Sequence, residues 1–158
     1  MHCPKCKAEG TKVIDSRIIE GGFAIRRRRE CVTCGYRFTT YERIDMDFMI
    51  IKKDGRREPY NREKLISGIR KACHKRPISE DAIANFVSNL EAELIQKGEK
   101  EIPSFYIGEK VMETLKKWDK IAYIRFASVY KEFKDVSEFI EQIESLKNTE
   151  LKKENDKS

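Results

Sequence analysis

Residues 26–34 read RRRRECVTC, four arginines set directly against a Cys-x-x-Cys pair, and a matching pair, CPKC, stands at residues 3–6. The two pairs decide the fold of the N-terminal third. Cys3, Cys6, Cys31 and Cys34 offer four soft thiolates, with 24 residues between the pairs. Each Cys-x-x-Cys closes a tight knuckle that aims both sulfurs at one point, Pro4 and Gly35 suit such turns, and two knuckles complete a tetrahedral zinc site. Four sulfur ligands leave no position for a reactive water, so the zinc expected here is structural, one per chain. Redox-active pairs or an iron–sulfur site would use the same residues, but ligand softness and spacing favour zinc. His2 lies outside the knuckle. The fifth cysteine, Cys73, falls on the apolar face of a helical stretch and reads as core.

The arginines call for a negative partner. Residues 1–45 carry ten Lys and Arg against six acids, and so hold +4 of a formal net charge of +6 on a chain of 158 residues. The short N-terminal segment is the basic one, which turns its surface toward a polyanion. TKVIDSRI, FAIRRRRE and YRFTTYE are rich in β-branched and aromatic residues, with Gly21-Gly22 between the first two, and predict a three-stranded antiparallel element. Side chains alternate along a strand, so Arg26 and Arg28 face one way and Arg27 and Arg29 the other. Arg17 and Arg37, on the flanking strands, extend the patch. Four phosphate contacts would give a salt slope of about −3.6, roughly a hundredfold loss of affinity from 50 to 200 mM salt. A solvated charged face is the plainer reading of a four-base run. Beside a zinc knuckle, nucleic-acid binding is the stronger one, with DNA or RNA left open.

The rest of the chain is of another kind. RIDMD at 43–47 is a charged joint. FMIIKKDGRREPYN predicts a hairpin turning at Asp54-Gly55, and the period then becomes helical. Asn61 is placed to cap a helix bearing Leu65, Ile69 and Cys73 that stops before Pro77. Ser79 caps a second helix, with Ile83, Val87, Leu90 and Leu94 on one face and Gly98 past its end. Ser104 is expected to cap a third, bearing Ile107, Val111, Leu115 and Trp118. KIAYIRFASVYKEF is apolar on more than one side and predicts a mostly buried fourth helix. DVSEFIEQIESL makes an amphipathic fifth, whose Phe139, Ile143 and Leu146 either pack back on the bundle or form an association surface. The polar tail KNTELKKENDKS is expected to be frayed.

Lys52, Lys53, Glu58, Asn61 and Lys64 cluster on the hairpin and the following helix start. Lysines suit phosphates, and an acid and an amide suit a base or a ribose. A charged, solvated hairpin is the alternative from spacing alone. Neither G-x-x-x-x-G-K-[ST] nor G-x-G-x-x-G occurs. No nucleophile–base pair or acidic metal cluster points to an enzyme. No apolar run reaches a membrane span, and the N-terminus lacks the apolar core of a signal peptide, so a cytoplasmic protein is expected.

MHCPKC, TKVIDSR, RRRRECVTC, RFTTYE, KKDGRREPYNREKL, KRPIS and DKIAYIRFASVYKEF, in that order, closely resemble the NrdR family, bacterial transcriptional repressors of ribonucleotide reductase genes. The resemblance covers roughly residues 1–147. It implies an α+β chain: a small all-β zinc ribbon over 1–45, then a mainly helical ATP-cone with a short β-sheet cap over 49–139, and a helix end and polar tail over 140–158. Carried over by motif, Ile50, Lys52, Lys53, Glu58, Asn61 and Lys64 match the nucleotide-contacting stretch, with Ser104 and Tyr123 lining the site from later helices. The implied partners are double-stranded promoter DNA, ATP and dATP as regulatory ligands, and further copies of the chain in a homo-oligomer. No membrane is implied. An RNA-binding zinc ribbon joined to a helical interaction domain is the competing reading.

Overall fold

A computed structural model describes residues 1–131 and 133–155. It separates into two compact units, the first formed by residues 1–47 with 84–98 and the second by 48–83 with 99 onward.

In the first unit, β1 (Thr11–Ile19), β2 (Ala24–Cys31) and β3 (Arg37–Arg43) form an antiparallel sheet with β2 in the middle. The expected three strands are all there. A bulge between Val13 and Asp15 keeps Arg17 opposite Arg26, and Arg26 in turn opposite Tyr41. Glu20, in the short 3-10 turn joining β1 to β2, takes a positive φ of 54°. Its carboxylate accepts from the Arg43 guanidinium at 2.6 Å and from the Ser88 hydroxyl at 2.7 Å. Among residues 1–47 the buried apolar side chains are Cys3, Ala24 and Cys31. No large hydrophobe is buried there, so burial alone cannot offset the ordering of this sheet.

The second unit opens with a hairpin of β4 (Met49–Ile51) and β5 (Arg57–Pro59), closed at Asp54-Gly55 as expected, with Gly55 at φ 82°. A strand unforeseen in the sequence, β6 (Glu101–Pro103), pairs parallel with β4 on its other side. Parallel partners need a long crossover, and the two intervening helices supply it.

α1 (Arg62–Ala72) starts where Asn61 accepts from the Lys64 amide at 2.8 Å. Its buried face is Ile66, Ile69 and Ala72 with Cys73, while Leu65 turns out to be half-buried. α2 (Glu80–Lys97) starts with Ser79 accepting from Ala82, and its Ile83, Val87, Leu90 and Leu94 are each at most 3% exposed. α3 (Ser104–Trp118) departs from expectation at its start. Ser104 is its first helical residue, not its cap; Pro103 stands before it and no side chain caps the turn. The strand β6 runs straight into the helix, so the serine hydroxyl is left to face elsewhere.

α4 (Lys120–Tyr130) is capped by Asp119, which accepts from Ala122 at 2.8 Å. It is not the mostly buried helix its composition suggests: Ala122, Tyr123 and Ala127 are buried, Ile121 and Val129 are exposed, and Phe126 and Tyr130 are half-buried. α5 (Val136–Asn155) packs on α4. Leu146 is buried, Ile143 half-buried, and Phe139 meets the Phe133 ring edge-on at 5.2 Å, so this face turns back onto its own unit. The helix runs on through the stretch expected to fray, and the last three residues of that tail lie outside the described ones.

Candidate metal centre, basic face and ligand cavity

The two knuckles are copies of one another. Cys3 donates to the Ala8 carbonyl and accepts from Lys7, and Cys31 donates to Tyr36 and accepts from Gly35, all between 2.8 and 3.0 Å. Lys7 and Gly35 sit at φ 65° and 69°, the left-handed conformation that lets each loop curl back under its sulfurs. The four sulfurs lie within 4.8 Å of one another. Cys3 to Cys34 is 3.7 Å and Cys6 to Cys31 is 3.6 Å. Ligands about 2.3 Å from a tetrahedral zinc stand about 3.8 Å apart, so the donor set and spacing fit that ion. The Cys34 amide, ahead of those of neighbouring groups, holds the Cys31 thiol down to about 6. Amide donation led by Cys6 also lowers Cys3. For Cys6 the Ala8 amide pulls down, but the neighbouring sulfurs, with Cys34 foremost, push it up to about 12. A divalent metal held by four such sulfurs displaces their protons. His2 is outside this group and lies 3.4 Å from Glu9. Cys73 is buried in the second unit, its thiol raised chiefly by burial.

The register divides the arginine run. Arg27 pairs with Glu42 at 3.3 Å and reaches Ser16 at 3.5 Å, and Arg29 donates to Thr40 at 3.2 Å. Both thus tie β2 to its neighbours. On the other face, no hydrogen bond or ion pair joins the side chain of Arg26 or Arg28 to another described residue. Arg17, on that face, pairs with Asp15 at 3.1 Å, and Arg37 with Glu30 at 2.7 Å. Tyr41 is on the same face, with the Arg43 guanidinium 4.8 Å from its ring. The two arginines left without partners, beside an exposed tyrosine, make this the face with charge to spare.

In the second unit a cavity of about 510 Å³ gathers Ile50, Lys52, Glu58, Asn61, Lys64 and Ser104, six of the eight residues expected around a nucleotide. Glu58 stands between the lysines, 3.2 Å from Lys64 and 3.4 Å from Lys52, and they hold its carboxyl below the usual range, Lys64 foremost. Ser104, released from capping, lines the cavity instead. Lys53 is exposed and Tyr123 is buried in the core; neither reaches the cavity. Gly108, where the resemblance to some reductase ATP-cones would place a histidine, is also among its walls, and sequence reading missed Tyr60, Leu65, Val111, Phe126 and Tyr130. For Phe126 and Tyr130 a signal was present: an α4 apolar on more than one side has a second face to spend.

Comparison with known proteins bears on both units. The ATP cone domain matches residues 48–136, and the N-terminal domain described as transcriptional repressor NrdR-like matches residues 1–42. The transcriptional repressor NrdR of Petrotoga mobilis is 57% identical over 94% of this chain and 100% of its own length. Those of Kosmotoga olearia (52% identical, 97% of each chain) and Myxococcus xanthus (49% identical, 98% of this chain and 92% of the relative) are similar over almost all of both chains. A zinc ribbon with its four-cysteine cluster, followed by an ATP-cone, in a chain matched nearly end to end by these repressors: the protein belongs to the NrdR family.

Proposed function

We propose that this chain is a nucleotide-sensing repressor that grips paired boxes in the promoters of ribonucleotide reductase genes. One structural zinc per chain holds the ribbon, whose Arg17, Arg26, Arg28 and Arg37 address duplex DNA, with Arg27 and Arg29 bracing the strand behind them. ATP or dATP occupies the cavity of the ATP-cone, its phosphates on Lys52 and Lys64 and its base or ribose near Glu58, Asn61, Ile50 and Ser104. The bound nucleotide sets the oligomeric state, and the oligomer sets whether the ribbons match the spacing of the boxes. Exposed Val136 and Ile140 on α5 are available for that association. The chain acts without turnover, in the cytoplasm with the DNA, and its two working parts are residues 1–45 and 49–139. A coupling of about 1–3 kcal/mol between nucleotide and DNA sites is enough for such a switch.

The observation that carries this reading is the pair of unpartnered arginines on one ribbon face, in a chain that also holds a lysine-lined cavity. The test is competition at fixed salt among a reductase promoter duplex, an unrelated duplex and a single-stranded RNA. The promoter duplex is expected to win. Replacing Arg26 and Arg28 together by alanine should reduce the magnitude of the salt slope by about 1.8, two phosphate contacts' worth. Preference for the RNA would favour an RNA-binding ribbon, and an unchanged slope would return the arginines to solvent.

A further inference from the structure

One wall of the cavity exists because a side chain is missing. Gly108 lies buried in the second turn of α3, and a Cβ added there would fall among the Cζ, Cε2 and Oη atoms of Tyr130. The ring from α4 therefore rests directly on the α3 backbone. Its hydroxyl donates to the Phe105 carbonyl at 3.0 Å, fixing it one turn earlier on the same helix. Phe126 stacks on it, with centroids 5.8 Å apart and planes 21° from parallel. Both rings line the cavity that also holds Lys52 and Lys64. Aromatic faces take flat unsaturated rings and lysines take phosphates. After proline, glycine is the poorest helix former, so its presence within the helix is explained by the ring it admits.

We propose that Gly108 is a positioning residue for the nucleobase: its bare backbone seats Tyr130, and Tyr130 with Phe126 forms the wall against which the base of a nucleoside triphosphate lies. The proposal rests on the nucleotide reading above and assigns the base and the phosphates to separate parts of one cavity. Any side chain at 108 evicts the ring and removes the base's platform, leaving the phosphate lysines where they are.

The test is calorimetric titration of the full-length, zinc-loaded protein with ATP and, separately, with inorganic tripolyphosphate. Gly108→Ala should weaken ATP on the order of tenfold, the scale of one base–aromatic stack, and leave tripolyphosphate within about twofold of the parent. In a Tyr130→Ala background, Gly108→Ala should cost ATP nothing further. Should Gly108→Ala not fold, Tyr130→Ala alone carries the same comparison. Equal losses for both ligands would show that the glycine serves the fold only, and undiminished ATP binding would show that the wall is not used; either overturns the proposal. A parent protein that binds neither ligand would overturn the nucleotide reading itself.

Discussion

Lys7 and Gly35 occupy the same backbone position in the two cysteine knuckles, and only one of them is glycine. A left-handed lysine costs about 1–2 kcal/mol, and what holds it there is the closure of the knuckle around the sulfurs. Cysteine spacing made this centre legible from the sequence, since four of the five cysteines fall into two Cys-x-x-Cys pairs and Cys73 stands alone. Which of the arginines were spoken for was not legible, because it depends on the register that sets Glu42 and Thr40 within reach of Arg27 and Arg29. At this scale the prediction concerns zinc. Structural zinc supplies about 10–16 kcal/mol in model peptides, and the ribbon buries no large apolar residue. Cys31→Ser should therefore drop the zinc content from one equivalent toward none and unfold the sheet, while the helical circular dichroism persists. Metal analysis and far-ultraviolet spectra check both, and a variant that keeps its zinc would contradict the assignment.

The ion pair between Asp119 and Arg76 locks the start of α4 to the loop after α1. The Arg76 guanidinium lies 2.7 Å away and, against the opposing effect of burial and with help from the Ala122 amide, holds the Asp119 carboxyl below the usual carboxylate range. A depressed carboxyl contributes stability that is complete above the unfolded value of about 3.9 and is lost as the pH falls through the lower folded value. Asn can still cap the helix, so Asp119→Asn should remove the ion pair alone, and Asp119→Ala should cost about 1 kcal/mol more through the lost cap. In thermal melts the parent's advantage over Asp119→Asn should be level between about pH 5 and 8 and shrink below about pH 4. An advantage that persisted unchanged into strong acid would mean that the charge contributes nothing. Elements of this kind were readable where a local signal existed, as with the caps at Asn61 and Ser79 and the Asp54-Gly55 turn. β6 was not, because a three-residue strand has no period and its partner is distant in the chain, Glu101 pairing with Met49. The start of α3 was misjudged for the same reason, a serine after an unseen strand resembling a cap. α4 misled because its apolar residues serve three ends at once: core, cavity wall and exposed surface.

Across the whole molecule the charge is divided by task. The ribbon holds most of the net positive charge, while in the second unit Glu58 is set between the two cavity lysines. No helix among the described residues is long and apolar enough to cross a membrane. On the function proposed above the two parts of the chain are coupled, so that nucleotide in the cavity changes the grip of the arginines on DNA. On that proposal, discrimination between ATP and dATP, which differ by one hydroxyl, is expressed through the assembly each favours. The most direct measurement is a titration of a labelled reductase-promoter duplex at one fixed salt, without nucleotide, with ATP, and with ATP plus dATP. The proposed coupling requires a dissociation constant that shifts at least fivefold, the lower end of about 1–3 kcal/mol, between the nucleotide conditions. A single dissociation constant under all three would contradict it.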